Sequence, residues 1–365
     1  MFIPLMVPDI TDEDILEVTR VLKSGMLVQG REVLLFENVL AKYLGVKNAI
    51  AVSNGTASLH LALLSLNIGK GDEVIVPAFS YMATANVVEL VGAKPVFVDI
   101  SLKTFNIDTK KIEQAISIKT KAIIPVHEFG LAADIEKIIS IAKKNNLYVI
   151  EDAACALGAT SGKRFAGTFG DLGSFSFHPR KAITSGEGGL IITNNDVLAK
   201  KLRALRNHGI EMIDNKMEFI CAGFNYRMTD FQAALLNSQF KRFDGILERK
   251  REIANLYQKN IHNNKIQNPF TPKKKEHTWQ TYHLLWNDEE DRDEIIIAFK
   301  NKGVGTNYGA QCMPAQKYFQ NKYKLDCEKL FPNALKAYNQ GLAIPIYEKL
   351  TTKQINYIID TLNNY

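Results

Sequence analysis

Between Ala49 and Ile150 the chain repeats one pattern: a short apolar run rich in β-branched residues, a turn, and a helix-length segment. The runs are Ala49-Ile-Ala-Val52, Glu73-Val-Ile-Val-Pro77, Pro95-Val-Phe-Val98, Ala122-Ile-Ile-Pro-Val126 and Tyr148-Val-Ile150. Helical patterns at Thr56–Leu66, Met82–Val91, Thr109–Ser117 and Ile135–Lys144 separate most of them. Strands that are apolar throughout must be covered on both faces, and their alternation with helices predicts an α/β domain with a largely parallel sheet. Such a sheet carries its ligand beyond the carboxyl ends of the strands. Function is therefore expected in the strand-to-helix turns.

The rest of the chain is arranged around this unit. Two helices, about Thr11–Leu22 and Glu32–Leu44, precede it, joined by the loop Ser24–Gly30. From Asp230 to Lys259 heptad-like apolar spacing predicts a long helical stretch, and the polar segment Asn260–Glu276 reads as a linker. Beyond it, strands at Gln280–Trp286 and Leu342–Pro345 alternate with helices at Arg292–Lys302 and Asn333–Gln340. A chain of 365 residues exceeds what one core usually supports. The expected division is a large domain, residues 1–240, and a smaller α+β domain, residues 241–365.

Composition narrows the class. With 46% hydrophobic and 23% charged residues the chain matches an ordinary soluble globular protein. No apolar run approaches the roughly 18–20 residues that span a bilayer. The N-terminal Met-Phe-Ile-Pro-Leu-Met-Val-Pro lacks a basic region and a cleavage site, so a cytoplasmic protein is expected. The net charge of +6 is spread out, and its one cluster, Lys273-Lys274-Lys275, reads as a solvated loop; no nucleic-acid or membrane partner is expected. Cys155, Cys221, Cys312 and Cys327 have neither CxxC nor zinc spacing, and the seven histidines form no HxxxH pair, so reduced thiols and no metal are expected.

Four strand-end features carry chemistry. Ser53-Asn-Gly-Thr-Ala-Ser58 leads into a helix: Gly55 permits the tight turn and Thr56 can cap it. This is either a plain N-cap or a phosphate seat formed by free N–H groups and the helix dipole. In Pro77-Ala-Phe-Ser-Tyr-Met-Ala83, Tyr81 can either plug the top of the sheet or offer a flat face to a planar ring. Glu151-Asp152 follows a fully apolar strand; Asp152 can cap the next turn or hold a protonated ring nitrogen. Lys181 lies between the runs Gly173–Phe177 and Leu190–Thr193, after His178-Pro179 and before Gly186, Gly188 and Gly189. A desolvated lysine there can lose its proton and attack a carbonyl to form a Schiff base. Phosphate seat, flat aromatic, aspartate and lysine are together the parts that pyridoxal phosphate requires.

With these residues in place, the chain resembles the nucleotide-sugar aminotransferases of the DegT/DnrJ/EryC1/StrS family, fold type I enzymes related to aspartate aminotransferase. The resemblance runs nearly the whole length. It rests on Ser53–Ala62, Val76–Asn86, Pro95–Asp99, Val149–Ala154, Ser176-Phe-His-Pro-Arg-Lys181, Gly186-Glu-Gly-Gly189 and the signature Asn225-Tyr-Arg-Met-Thr-Asp230. It implies that Lys181 is the Schiff-base lysine and later proton shuttle, and that Asp152 partners the pyridine nitrogen. It further implies that Tyr81 stacks on the ring and that Gly55, Thr56, Ala57 and Ser176 hold the phosphate. Asn225 is implied to reach the cofactor phosphate of a neighbouring subunit, with Arg227 close by, making a homodimer with shared sites. His178, His208 and Tyr308, the last in the segment Gly305–Pro314 where the family's sugar-nucleotide loop falls, are expected near substrate.

Two stretches depart from the family pattern. Cys155 stands where Gln or His usually contacts the cofactor's phenolic oxygen, and a thiol is a weaker donor. His127-Glu-Phe-Gly-Leu131 replaces the more usual His-x-x-Gly-Gln. The implied reaction is ping-pong transamination: L-glutamate converts pyridoxal phosphate to pyridoxamine phosphate, which aminates a nucleotide-linked keto-deoxysugar. C4 of a 4-keto-6-deoxyhexose on dTDP, UDP or GDP is the expected position, with C3 amination as the alternative. Lys181 argues against the related sugar dehydratases, which carry histidine there, and filled catalytic positions argue against a non-catalytic regulator.

Overall fold

The computed structural model describes residues 2–287 and 290–365. At its centre lie seven strands: β1 (Asn48–Val52), β2 (Glu73–Pro77), β3 (Lys94–Val98), β4 (Thr120–Ile123), β5 (Tyr148–Asp152), β6 (Leu172–Ser176) and β7 (Gly189–Thr193). They form one sheet in the order β1-β7-β6-β5-β4-β2-β3. All neighbours run parallel except β7, which is antiparallel to both β1 and β6. Residues 177–188, between β6 and β7, contain no helix, and a parallel return usually needs one. The chain therefore comes back antiparallel.

Both faces of the sheet are covered, as the apolar runs require. On one face Leu59, Leu63, Val88 and Leu202 pack against Ile150 and Ile191. On the other, Phe36 and Leu40 meet Ala51, Phe175, Leu190 and Ile192. Farther along that sheet, Ile135, Ile138 and Ile141 meet Ile75, Ile123 and Val149. Burying one such side chain contributes about 1.5–3 kcal/mol. Leu190, Ile191 and Ile192 thus divide their side chains between the two layers, the two-residue period of a strand.

The C-terminal part builds around a smaller antiparallel sheet, Ile266–Gln267, Tyr282–Trp286 and Gly341–Ile344. Helices Phe243–Asn260, Arg292–Asn301 and Thr352–Asn363 cover it with Tyr257, Phe299 and Ile358. Ile3 is buried in the same cluster, and it bridges to Val304.

Four expectations are corrected. The stretch from Asp230 to Lys259 is two helices, Asp230–Phe240 and Phe243–Asn260. At the break Arg242 turns its guanidinium to Asp14 (3.0 and 2.7 Å) and to the Asp9 carbonyl (2.6 Å). The segment Asn260–Glu276 is not a bare linker: Ile266–Gln267 joins the small sheet, and Lys275–Glu276 pairs with Thr160–Ser161. Nor is Lys275 a solvated loop residue, since its ammonium donates to the carbonyls of Ala132 (3.0 Å) and Ala133 (2.7 Å). The Thr109–Ser117 helix is shorter, Thr109–Ile112 followed by a 3-10 turn at Glu113–Ala115. No helix among the described residues is long and apolar enough to cross a membrane. Those residues also hold no group of three or more His, Cys, Asp or Glu side chains able to bind a metal ion.

Candidate active site

Strand register brings the carboxyl-end features together. Val52 pairs with Gly189, Gly189 with Ser176, and Asp152 with Ser174, so the ends of β1, β6 and β5 meet the start of β7 at one edge. The turn after β1 packs tightly onto this edge. A Cβ on Gly189 would lie 2.4 Å from the Asn54 carbonyl oxygen, and one on Gly55 would lie 2.9 Å from the Ser176 Cβ. Glycine at both positions lets the backbones touch.

This turn starts the helix Gly55–Ser65, and its cap is Asn54 rather than Thr56. The Asn54 side chain accepts from the Ala57 N–H at 2.8 Å, and the Asn54 carbonyl accepts from Ser58 at 3.1 Å. Among the described residues the N–H groups of Gly55 and Thr56 have no acceptor within the chain. Thr56 is exposed and Ala57 buried. Two free donors at the positive end of a helix make an anion seat. Ser176 lies against Gly55, and its hydroxyl accepts weakly from the His178 N–H at 3.4 Å.

Asp152, at the end of β5, is buried. Its Oδ2 accepts from the Thr84 hydroxyl at 2.8 Å and its Oδ1 from the Ala154 N–H at 3.2 Å. No basic side chain among the described residues forms an ion pair with it, and burial holds its carboxyl above the usual aspartate range. Such a carboxylate suits a cationic partner brought from outside. Its neighbour Glu151 faces the other way and is structural: it accepts from His127 Nε2 (2.8 Å) and from the N–H groups of Gly167 (2.8 Å), Phe169 (2.6 Å) and Gly170 (2.6 Å). The Ala133 N–H donates to His127 Nδ1 (3.0 Å), which fixes the proton on Nε2.

Lys181 stands on a turn whose N–H bonds to the His178 carbonyl at 2.8 Å, and its Nζ lies 3.0 Å from Cys155 Sγ. Lys181, Cys155, Ser176, Thr278 and Gln280 line one cavity. Burial pushes the Cys155 thiol up, so the sulfur is a neutral acceptor for the amine.

The other candidates are more peripheral. Tyr81 is 69% exposed at the start of the loop before helix Ala83–Leu90, a position from which a ring can swing. His178 and His208 are exposed, and His208 takes a left-handed backbone, φ 56°. Asn225 is exposed, and Arg227 binds the Asn207 side chain. Tyr308 packs edge-on against Tyr338, while its neighbours Asn307 and Gly309 line a cavity with Arg180 and Gln280. Asp230, last residue of the signature, caps helix Arg31–Leu44 through the N–H groups of Gly30 (2.7 Å), Val33 (3.1 Å) and Glu32 (3.3 Å). The same segment anchors the Ser53 N–H on the Tyr226 carbonyl at 2.8 Å.

Several participants carried no readable signal in isolation. Thr84, two residues after Met82, is recognisable only by its contact with Asp152. Thr278, which donates to the Cys155 carbonyl at 3.1 Å, and Gln280, which donates to the Arg180 carbonyl at 3.0 Å, come from the C-terminal part of the chain.

Comparison with known proteins gives the family and the fold. The family model of the DegT/DnrJ/EryC1/StrS aminotransferases matches residues 8–363. GDP-perosamine synthase of Escherichia coli O157:H7 is 36% identical over 368 residues, covering 100% of this chain and 98% of that protein. A putative sugar aminotransferase, Spr1654 from Streptococcus pneumoniae in its PMP-form, superposes with a TM-score of 0.95 at 29% identity, over 100% of this chain and 97% of the other. Helicobacter pylori PseC, an aminotransferase involved in the biosynthesis of pseudoaminic acid, gives 0.94 at 27% identity, over 100% and 99%.

Proposed function

Because this chain belongs to the DegT/DnrJ/EryC1/StrS aminotransferase family, we propose that it uses pyridoxal phosphate to move an amino group from L-glutamate to a keto carbon of a nucleotide-linked deoxysugar. The carbon is C4 of a 4-keto-6-deoxyhexose, and GDP is the favoured nucleotide. The relationship to GDP-perosamine synthase supports both choices. The PLP- and PMP-forms of the pneumococcal neighbour support the cofactor.

One observation carries the reading: Lys181, a buried Asp152 that forms no ion pair among the described residues, and the Gly55 and Thr56 amides, free among those residues, lie around one edge of the sheet. The residues fit the cofactor. Gly55, Thr56 and Ser176 would hold its phosphate, Asp152 its protonated ring nitrogen, and Lys181 its aldehyde carbon, with Tyr81 over the ring. When bound, pyridoxal phosphate supplies an electron sink for the carbanion formed as the amino acid loses its α-proton. Thr84 and the Ala154 amide orient the Asp152 carboxylate, keeping it ionised against a ring cation. Lys181 Nζ takes a proton from one carbon and returns it to another as general base and acid. A second copy of the chain completes the site, bringing Asn225 and Arg227 towards the phosphate edge.

The test is Lys181→Ala beside wild type, each incubated with glutamate and the 4-keto sugars of GDP, dTDP and UDP, with products read by mass spectrometry. Wild type is expected to gain visible absorbance on adding pyridoxal phosphate and to aminate the GDP sugar. A variant that keeps both the absorbance and the nitrogen transfer would remove Lys181 from the mechanism.

A further inference from the structure

Arg180 stands on the turn between β6 and β7, one residue before Lys181, and its backbone is fixed at both ends. Its N–H donates to His178 Nδ1 at 3.3 Å, and its carbonyl accepts from Gln280 Nε2 at 3.0 Å. Gln280 is held in turn, because its Oε1 accepts from the Thr281 hydroxyl at 2.8 Å. The Arg180 guanidinium, by contrast, has no hydrogen bond or ion pair among the described residues. Every other arginine in residues 164–292 binds an oxygen of the chain.

Arg180 lines a cavity between this turn and the C-terminal part of the chain, with Gln280, Asn307, Met6, Ile344 and Ile346 among its walls. Among the described residues no acid lines it. Asn307 Oδ1 accepts from the Gly309 N–H at 2.8 Å, which leaves its Nδ2 as a donor with no acceptor among those residues. A guanidinium and an amide donor thus share walls that are otherwise largely apolar. The planar fork of arginine matches a carboxylate, and an apolar surround strengthens such a charge-assisted bond. Gln280 also lines the cavity that holds Lys181, so the two cavities meet at one side chain.

We propose that Arg180 binds the α-carboxylate of the amino donor, with the Asn307 amide as a second donor to it. The proposal rests on the reading of Lys181 as the reacting amine and of L-glutamate as the donor. The carbon that gives its proton to Lys181 must lie in the cavity of that lysine. The α-carboxylate is bonded directly to this carbon and can pass Gln280 into the next cavity, whereas the γ-carboxylate lies two methylenes farther away. The other anion in the reaction, the diphosphate of the sugar nucleotide, is attached at C1. It sits across the ring from a reacting C4 and cannot reach a clamp beside the reacting carbon. Arg180 therefore serves the donor half of the reaction and leaves the sugar half to other groups.

The experiment uses the holoenzyme loaded with pyridoxal phosphate, with all variants compared at equal cofactor loading. Wild type, Arg180→Ala, Arg180→Lys and Asn307→Asp are titrated with α-methyl-L-glutamate, which has no α-proton and so binds without turning over. Binding is read by visible absorbance. Dissociation constants for L-glutamate and L-glutamine come from the donor half-reaction, and the KM for the GDP-linked 4-keto sugar from the second half. Arg180→Ala is expected to weaken all three amino acids alike, about tenfold to a hundredfold, with the sugar KM within about twofold. Arg180→Lys, which keeps the charge without the fork, falls between wild type and Arg180→Ala. Asn307→Asp keeps the oxygen that accepts from Gly309 but sets a negative charge against the carboxylate, and weakens the same three ligands. The proposal is overturned if Arg180→Ala binds the amino acids as wild type does, which makes Arg180 a solvated cation. It is also overturned if L-glutamate weakens and L-glutamine does not, which assigns the γ-carboxylate, or if the sugar KM rises as much as the donor constants. A wild type that takes nitrogen from neither amino acid would instead overturn the functional reading, and this proposal with it.

Discussion

Replacing Thr84 by Val removes one hydroxyl at nearly constant volume from beneath Asp152. The hydroxyl donates 2.8 Å to Asp152 Oδ2 and is one of two donors that hold the carboxylate. A hydrogen bond to a charged group contributes about 1.5–3 kcal/mol, so the ionised form loses about 2 kcal/mol. Destabilising the ion pushes the Asp152 carboxyl further up. The sign follows from linkage. Burial already raises this carboxyl above its unfolded value, so the folded protein binds more protons and loses stability as pH climbs towards the folded pKa. Losing Thr84 extends that loss to higher pH. Thermal unfolding of the cofactor-free protein, followed by circular dichroism, should give nearly coincident midpoints for the two proteins in acid, where Asp152 is neutral in both. At alkaline pH the variant should melt about 2–3 °C lower. In parallel, pyridoxal phosphate should bind the variant more weakly at neutral pH, by tenfold or more, because the carboxylate proposed to meet the ring nitrogen is less stable as an ion. A melting difference that stays constant from acid to alkaline pH would mean that Thr84 contributes packing alone, and the electrostatic argument would be wrong.

Three further outcomes follow from neighbouring contacts. Gly189→Ala forces a methyl to within 2.4 Å of the Asn54 carbonyl oxygen, so the turn proposed to hold the phosphate must shift; a cofactor dissociation constant raised at least tenfold, measured by fluorescence titration, is expected. Asp230→Ala strips three N–H groups at the start of helix Arg31–Leu44 of their charged cap, and urea unfolding should show a loss of about 2 kcal/mol. At neutral pH a disulfide reagent should modify exposed Cys221 well before half-buried Cys155, whose thiol is pushed up by desolvation; equal rates, read by peptide mass spectrometry, would contradict this reading.

What the sequence could tell, and what it could not, separates along physical lines. Helix Ile135–Lys144 was legible to the residue, because Ile135, Ile138, Ile141 and Ala142 fall on one face and all four are buried. The positions of Asp152, at the end of an apolar strand, and of Lys181, on the turn after the next strand, were legible, while their roles belong to the proposed function. The cap of the helix after β1 was misread: Asn54 and Thr56 are both good caps, and only the conformation of Gly55 as first helical residue decides between them. The break near Arg242 was hidden, since Phe240 and Phe243 continue the apolar spacing and the interruption comes from Asp9 and Asp14, far away in the chain. Thr84, Thr278 and Gln280 could not be assigned from local pattern at all. Their roles arise from contacts between segments distant in sequence, which no hydrophobic period encodes.

The reversed strand β7 also fixes when the chain can become competent. Asn48–Val52 is among the first segments made, yet its only sheet neighbour among the described residues is Gly189–Thr193, and the Ser53 amide waits longer still, for Tyr226. During synthesis the N-terminal strand therefore remains an unpaired edge while the parallel strands assemble beside it. Closure over so long a loop slows folding and leaves an apolar strand open to misassembly. The turn that offers its two amides takes shape only after the signature segment has emerged from the ribosome. Capture of the cofactor by a nascent chain would thus report that about the first 230 residues have closed into place.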